Sequence, residues 1–452
     1  MANTNEISIE ERLNRAKKPG QDAMVLHKYY GGKIEVTPKA CVRSFADFAI
    51  WYSPGVAQPC LDIKNNPDMV YEHTCKWNTV AVVSDGTRVL GLGSIGPEAA
   101  MPVMEGKSML FKYLGGVDSV PVCLDTKDPQ KIIDTVRLIA PSFGGINLED
   151  ISNPKCFDIL DALRADCKIP VWHDDQQGTA CVTVAAAINA MKLVGKKFSD
   201  CNLAMIGAGA AGIAISRLLL ATGFDPKKLC MCDSKGILNL SREEVKNDFK
   251  QKWEICKKTN GAGKTGGIKE ALEGADIVIG ASTPGPGTIP AEYVKSMADN
   301  PVVFATANPI PEMWPWEAKE YGCKIFATGR SDFPNQVNNS MGFPAIFRGV
   351  LDVRSTQITD EMCIAAAEEL AKCAEEKGIH EEYIIPTMSE IEPFPREAVA
   401  VAMKAMEQGY ARLKLSRQEL FDRADFIIRR SRAQTDAMMK YGFIKDPLPA
   451  FK

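Results

Sequence analysis

Two successive α/β regions followed by a helical end are the fold class that this sequence predicts, within a chain of 452 residues. Three observations carry it. Short β-branched runs alternate with helix-length segments along both regions, the signature of parallel βαβ units. A glycine-rich turn, Gly207-Ala208-Gly209-Ala210-Ala211-Gly212, sits between a strand and a helix in the second region. Beyond about residue 355 only helical periodicity remains.

In the first region "SVPVCLDT" (119–126) reads as a strand. The helix "DPQKIIDTVRLIAP" (128–141) follows, with Asp128 as N-cap and Pro129 at its first position. "FGGINLED" (143–150) is the next strand, and "NPKCFDILDALRAD" (153–166) a helix opening the same way with Asn153 and Pro154. "KIPVWHDD" (168–175) is the third strand. Each strand ends in carboxylates: Asp125, then Glu149 and Asp150, then Asp174 and Asp175. Parallel strands put those ends along one edge, where open α/β sheets bind ligands. The helix "TACVTVAAAINAMKLV" (179–194) leads into the second region. Its strands are expected at 201–206, 228–236, 274–283, 301–309 and 323–330, with an amphipathic helix over "EEVKNDFKQKWEICKK". Helices at 360–378 and 396–414 form the end.

Composition bounds the function. The chain is 45% apolar and 25% charged with a formal net charge of -3, which gives no pull toward nucleic acid or membrane. No apolar run reaches the ~18 residues of a membrane span. The start, "MANTNEISIEERLNRAKK", mixes acids with bases and has no apolar core, so it is read as no leader, and a cytoplasmic location is expected. Fourteen scattered cysteines without a C-x-x-C, and four histidines, argue against zinc.

The glycine turn fits G-x-G-x-x-G. Gly207 would make the tight turn, Gly209 would let the backbone approach a pyrophosphate, and Gly212 would allow close helix–strand packing. Asp233, ending the next strand, would bond a ribose, while Ser234 and Lys235 could accommodate a 2′-phosphate. "GAGKTGG" (261–267) lacks the first glycine and the preceding strand of a phosphate loop and is read as a surface loop. Glu149, Asp150 and Asp175 offer the all-oxygen donor set of Mg²⁺ or Mn²⁺; the bland alternative is loop and capping carboxylates. Tyr52, before a Ser-Pro-Gly turn, is either core or a projecting phenol. Lys107 and Lys112 share a helix over 103–118, and Arg88 lies among glycines, free to clamp a carboxylate or to cover surface.

Taken in order, "YSPGVA", "SDGTRVLGLGSIGP", "PVMEGKSMLFKYLGGVD", "NLEDI", "HDDQQGTA", "GAGAAG", "TANP" and "NQVNNSMGFPAIFRG" resemble the malic enzymes, in their short form, over about residues 25 to 400. The resemblance implies an N-terminal substrate and catalytic domain over 1–165 and a Rossmann-type, doubly wound dinucleotide-binding domain over 166–385. It adds a C-terminal helical segment, 386–452, packing back on the first. It implies oxidative decarboxylation of malate, Glu149, Asp150 and Asp175 as metal ligands, Lys107 as general base and Tyr52 as general acid. Arg88, Asn308 and one of the pair Asn338–Asn339 would hold substrate; Ala210, Ala211 and Asn308 join the glycines, Asp233, Ser234 and Lys235 around the cofactor. Asp174 would orient Lys107 or the metal site. "CDSKG" leans toward NADP over NAD, a homodimer is expected, and the lysine would need a depressed pKa. A malolactic enzyme and a non-catalytic dinucleotide sensor are the competing readings.

Overall fold

A computed structural model describes residues 8–451 of the chain. Residues 1–7, the beginning of the stretch read as no leader, and Lys452 lie outside the described residues. Strands β1 (Thr79–Ser84), β2 (Asp118–Cys123), β3 (Gly145–Leu148) and β4 (Val171–His173) form a parallel sheet in the order β2-β1-β3-β4. The three expected strands are present, shorter than read. The central strand β1 is a fourth, which the pattern reading passed over. Its run "TVAVVS" is buried on both faces, so it lacks the alternation that marks a half-exposed strand. The domain division expected after residue 165 precedes β4, yet β4 pairs with β3, so the first sheet takes its last strand from beyond that boundary.

The second sheet has the order β10-β9-β8-β5-β6-β7: β5 (Leu203–Ile206), β6 (Leu229–Asp233), β7 (Gly236–Ile237), β8 (Ile277–Gly280), β9 (Val302–Ala305) and β10 (Ile325–Thr328). All pairings are parallel except the short β6–β7 edge. β5 lies between β6 and β8, so the strand order reverses at its end, the crevice position of a doubly wound sheet.

Two local expectations fail for visible reasons. The helix after β3 starts at Lys155 with Pro154 as its N-cap and no side-chain cap, so Asn153 does not play the part of Asp128, whose carboxylate accepts from Gln130 N–H at 2.9 Å. The segment 243–258 is two helices, Glu244–Asp248 and Lys250–Lys258. Between them Phe249 is extended and its ring meets Phe157 at 5.7 Å between centroids.

Helices Phe343–Asp352, Asp360–Lys377, Pro393–Glu407 and Arg417–Lys440 make the helical end. The last returns to the helix Pro97–Gly115: Ser431 Oγ donates to Lys112 O at 2.7 Å, and a Cβ on Gly116 would stand 2.6 Å from Ile427. Among the described residues no helix is long and apolar enough to cross a membrane.

Glu397, in the Pro393–Glu407 helix, is fully buried, and neither carboxylate oxygen has a hydrogen-bond partner among the described residues. Burial first, and then the charge of Glu369, push its pKa well above the ordinary 4.5. A raised folded pKa means stability present below the unfolded value and lost as pH rises through the folded one. Glu397→Gln is therefore expected to melt above the parent protein at pH 8 and level with it at pH 5, by roughly 1 °C for each kcal/mol recovered in a chain of this length. Thermal melts at both pH values check this; a variant less stable at both would assign the carboxylate a bonding role.

Candidate active site

The carboxyl ends of β3 and β4 carry the acidic residues. After β4 the chain makes one wide turn, Asp174–Gly178, with π-type i→i+5 character before the helix Thr179–Leu193, a feature frequent at functional sites. That turn sends the adjacent aspartates apart: Asp174 is fully buried, while the Asp175 side chain is 33% exposed. Asp150 stands at φ 56°, in the left-handed region, where its N–H donates to Asp175 Oδ2 at 2.8 Å and its carbonyl accepts from Arg88 N–H at 2.9 Å. One oxygen each from Glu149, Asp150 and Asp175 lie within 4.8 Å of one another.

These carboxylates are poorly served by the protein alone. Asn147 Nδ2 donates to Glu149 Oε2 at 2.9 Å, yet Asp150 Oδ2 is buried with no partner among the described residues. Burial, then the charge of Asp175, push Asp150 up to about 8. Burial also raises Glu149 well above the carboxylate range, against the pull of Lys107. An all-oxygen donor set with an orphaned oxygen fits a hard divalent cation. Asp125, expected on the same edge, is exposed beyond β2, the far edge strand, and does not join them.

Lys107 lies mid-way along the Pro97–Gly115 helix rather than near its start, 7% exposed. Its ammonium bonds Asp174, stands 3.1 Å from Glu149 Oε1 and sits 4.3 Å from the Phe343 ring centroid. Burial works to lower its pKa, but Asp174 and Glu149 outweigh burial and hold it above the ordinary value. The depressed lysine expected from the sequence is thus not what the carboxylates around it impose. Asp174 also accepts from Asn339 Nδ2 and from Trp172 Nε1, the latter at 3.1 Å. Gly178 is required there, since a Cβ would lie 2.1 Å from Asp174 Oδ1. Lys112 pairs instead with Asp118 at 2.7 Å, half-exposed. His173 is buried with neither ring nitrogen hydrogen-bonded among the described residues, Nδ1 standing 3.7 Å from Asp175 Oδ2; burial lowers its pKa against the pull of Asp175.

The remaining candidates divide. The Arg88 side chain is exposed at the lip, its backbone tied to Asp150. Asn308 comes close to that lip, since a Cβ on Gly91 would stand 2.6 Å from its carbonyl oxygen. Asn338 is used internally, donating to Gly329 O at 3.0 Å and accepting from Ser340 N–H at 2.9 Å; Asn339 is the one of the pair that reaches Asp174. Tyr52 is 73% exposed and bonds none of these groups.

At the end of β5 the backbone folds as the glycines require. Gly207 is at φ 109°, and a Cβ there would meet Ala281 O at 2.3 Å; one on Gly212 would meet Gly207 O at 1.9 Å. At Gly209 a Cβ would meet only Asn153 Nδ2, at 3.6 Å, so this position faces open space before the helix Ala210–Ala221. Backbone N–H groups at such a helix start suit a phosphate. Asp233 ends β6 and is occupied: Arg242 Nη2 and Lys252 Nζ donate to Oδ2 at 3.2 and 3.0 Å. Burial would raise its pKa, but Arg242, the Lys235 N–H and Lys252 hold it below the usual value. Ser234 and Lys235 are exposed beside it.

A family model described as the malic enzyme NAD-binding domain matches residues 176–408, and one described as the malic enzyme N-terminal domain matches residues 31–133. The bifunctional malic/malolactic enzyme of Bacillus subtilis (strain 168) is 49% identical over 403 residues, covering 89% of this chain and 97% of that protein. The chain belongs to the malic enzyme family. An NAD-dependent malic enzyme of Geobacillus stearothermophilus is 48% identical, covering 85% of this chain and 79% of that one. An NADP-dependent malic enzyme of Halomonas elongata is 45% identical, covering 84% and 92%. The crystal structure of Entamoeba histolytica malic enzyme superposes with a TM-score of 0.96 at 47% identity, covering 98% of this chain and 93% of that one.

In this malic enzyme the fold gathers Lys107, Glu149, Asp150, Asp174, Asp175 and Asn339 into one cluster and leaves Tyr52 outside it. Sequence reasoning missed Asn147 and Trp172, each two residues before the acid it bonds, and Arg242 and Lys252, which reach Asp233 from further along the chain. It also missed Glu312, buried and accepting from Ser282 N–H at 2.9 Å and Ala307 N–H at 3.0 Å, which ties together the loops after β8 and β9. The i, i+2 spacing, which relates Asn147 to Glu149 and Trp172 to Asp174, carried a usable signal; Arg242 and Lys252 left none.

Proposed function

We propose that this malic enzyme oxidises (S)-malate and decarboxylates the resulting 2-oxo acid to pyruvate and CO₂, using Mg²⁺ or Mn²⁺ and NADP⁺ in preference to NAD⁺. The observation that carries the reading is the buried lysine bonded to carboxylates beside a three-oxygen donor set. Glu149, Asp150 and Asp175 would hold the cation. Bound there, the cation lowers the pKa of a C2 hydroxyl and stabilises negative charge on that oxygen. Lys107 takes the hydroxyl proton, with Asp174 and Asn339 fixing where its nitrogen points. Glu149 serves both the ammonium and the donor set, so engaging it in the latter weakens the hold on the Lys107 proton. Arg88 at the lip clamps a substrate carboxylate, with Asn308 beside it, and Tyr52 returns a proton to C3. Gly207, Gly209 and Gly212 let the backbone of Ala210 and Ala211 cradle the pyrophosphate.

The preference for NADP⁺ rests on Asp233. A bare carboxylate at the end of β6 would repel a 2′-phosphate, but Arg242 and Lys252 neutralise this one, and Ser234 and Lys235 stand exposed beside it. Steady-state kinetics with malate and Mn²⁺, varying NADP⁺ against NAD⁺, test both parts. Pyruvate with reduced NADP is the expected outcome, and Arg242→Ala should raise KM for NADP⁺ about tenfold while sparing NAD⁺, the size of losing one charge-assisted contact. Equal changes for both cofactors would remove Arg242 from phosphate recognition. The similarity to a bifunctional malic/malolactic enzyme favours a second reading, in which malate yields lactate with the dinucleotide retained. Lactate without accumulation of reduced cofactor would select it.

A further inference from the structure

At the carboxyl edge of the second sheet a carboxylate is buried without a cation beside it. Glu312 is fully buried and forms no ion pair among the described residues. Its oxygens divide between two loops. Oε1 accepts from Ser282 N–H at 2.9 Å and Ser282 Oγ at 3.1 Å, after β8, while Oε2 accepts from Ala307 N–H at 3.0 Å, after β9. The sequence builds the place for it. Gly280 ends β8, and a Cβ there would stand 2.9 Å from Oε1. The chain returns from Asn308 through Pro309-Ile310-Pro311, and the Ile310 and Glu312 carbonyls accept from Gly285 and Ile289 N–H at 3.3 and 3.4 Å. Burial raises the pKa of the acid, and the Ala307 and Ser282 N–H groups work against that. All three side-chain contacts are donations to it, a pattern that suits an ionised carboxylate, which only accepts.

The two loops it ties run along the crevice at the end of β5. Ala281 and Ser282 lie against the dinucleotide turn: a Cβ on Gly207 would meet Ala281 O at 2.3 Å and Ser282 Cα at 3.2 Å. Ala307 precedes Asn308, whose carbonyl reaches the Gly91 lip and whose Nδ2 would stand 2.8 Å from a Cβ on Gly329. One loop therefore borders the turn suited to a pyrophosphate, and the other borders the lip beside the acidic cluster. Their last backbone tie is Thr306 N–H to Gly280 O at 3.1 Å; beyond it they meet through the Glu312 carboxylate.

We infer that Glu312 is a positioning residue of the dinucleotide crevice: with one oxygen on each loop, its carboxylate fixes the wall beside the glycine turn and the wall bearing Asn308 at a set separation before the cofactor arrives. This rests on the reading of that crevice as the cofactor site. Glu312 acts through Ser282 and Ala307, and the gain is preorganisation, since loops that must order on binding cost affinity. An amide of the same shape cannot replace the carboxylate. It offers one acceptor oxygen, and its NH₂ would face the N–H of the second loop.

Glu312→Gln tests this, because it keeps the volume and removes one acceptor. NADPH and NADH are titrated into parent and variant by the fluorescence of the bound cofactor, and Mn²⁺ by electron spin resonance. Both dinucleotides should bind about tenfold more weakly, the size of leaving one buried donor unpaired, and by equal factors, unlike Arg242→Ala. Mn²⁺ affinity and oxaloacetate decarboxylation should match the parent. With saturating cofactor, the isotope effect on oxidation of malate deuterated at C2 should rise, since a looser crevice slows hydride transfer alone. Unchanged dinucleotide affinities would overturn the inference, because shape would then suffice; so would Mn²⁺ affinity falling as far as dinucleotide affinity. The parent enzyme supplies a measurement that no folding defect can cloud: without cofactor, the Ser282 and Ala307 amides should exchange as slowly as those of β8 and β9. Exchange as fast as in an exposed loop would overturn the inference. A parent enzyme that binds neither NADPH nor NADH would remove the crevice reading, and the inference with it.

Discussion

Lys107→Ala is expected to lower kcat for malate oxidation by about three to four orders of magnitude, the upper range for loss of a positioned general base. It should leave decarboxylation of added oxaloacetate within about tenfold of the parent, since that step needs no base at the C2 hydroxyl. Structural damage is the competing explanation. Removing the ammonium leaves Asp174 and Glu149 buried without their cation, and breaking such a pair costs about 3–5 kcal/mol unless they take up protons. Lys107→Arg separates the two. It keeps a positive charge in place and should restore the melting temperature without restoring malate oxidation, because a guanidinium does not give up its proton. Oxaloacetate decarboxylation falling as far as malate oxidation would show that the lysine's part is not proton removal from C2.

Asp175→Ala should abolish metal-dependent turnover, with a loss on the order of 10³ or more in kcat at any Mn²⁺ concentration. Its oxygen is one of the three gathered within 4.8 Å, and it accepts the Asp150 N–H that fixes that residue at positive φ, so the substitution removes one donor and loosens a second. NADPH affinity, read by the fluorescence of the bound cofactor, should be unchanged, because the glycine turn is held by β5, β8 and its own helix. Mn²⁺ binding followed by electron spin resonance should weaken by at least about 100-fold, beyond the 10–100-fold typical of outer partners. Undiminished Mn²⁺ affinity in Asp175→Ala would sink the ligand assignment.

Much of this was readable from spacing, and what was not has identifiable causes. Gly207, Gly209 and Gly212 are legible because backbone sterics fix them locally. The acids of β3 and β4 are legible because parallel strands bring their ends to one edge. The same rule overreached at Asp125, because it does not say which strand is central; the unread β1 separates β2 from β3. The environment of Lys107 was illegible in principle. Its charge state is set by Glu149 and Asp174, and Asn339 acts on it only through Asp174, all far along the chain and placed by three different elements. Asp233 was readable as a strand-end acid but not as a neutralised one, since Arg242 and Lys252 reach it from a loop and a helix with no motif of their own.

The wide turn Asp174–Gly178 has a mechanical meaning. On one side β4 ties it to β3 and so to Glu149 and Asp150. On the other it runs straight into the Thr179–Leu193 helix, and both turn and helix pack against the Ala210–Ala221 helix that begins at the glycine turn. Five residues thus act as a strut between the sheet bearing the acids and the helix suited to a pyrophosphate. Displacing that helix would displace Asp175 with it, so the spacing between the two halves of the reaction is carried by chain continuity and by packing.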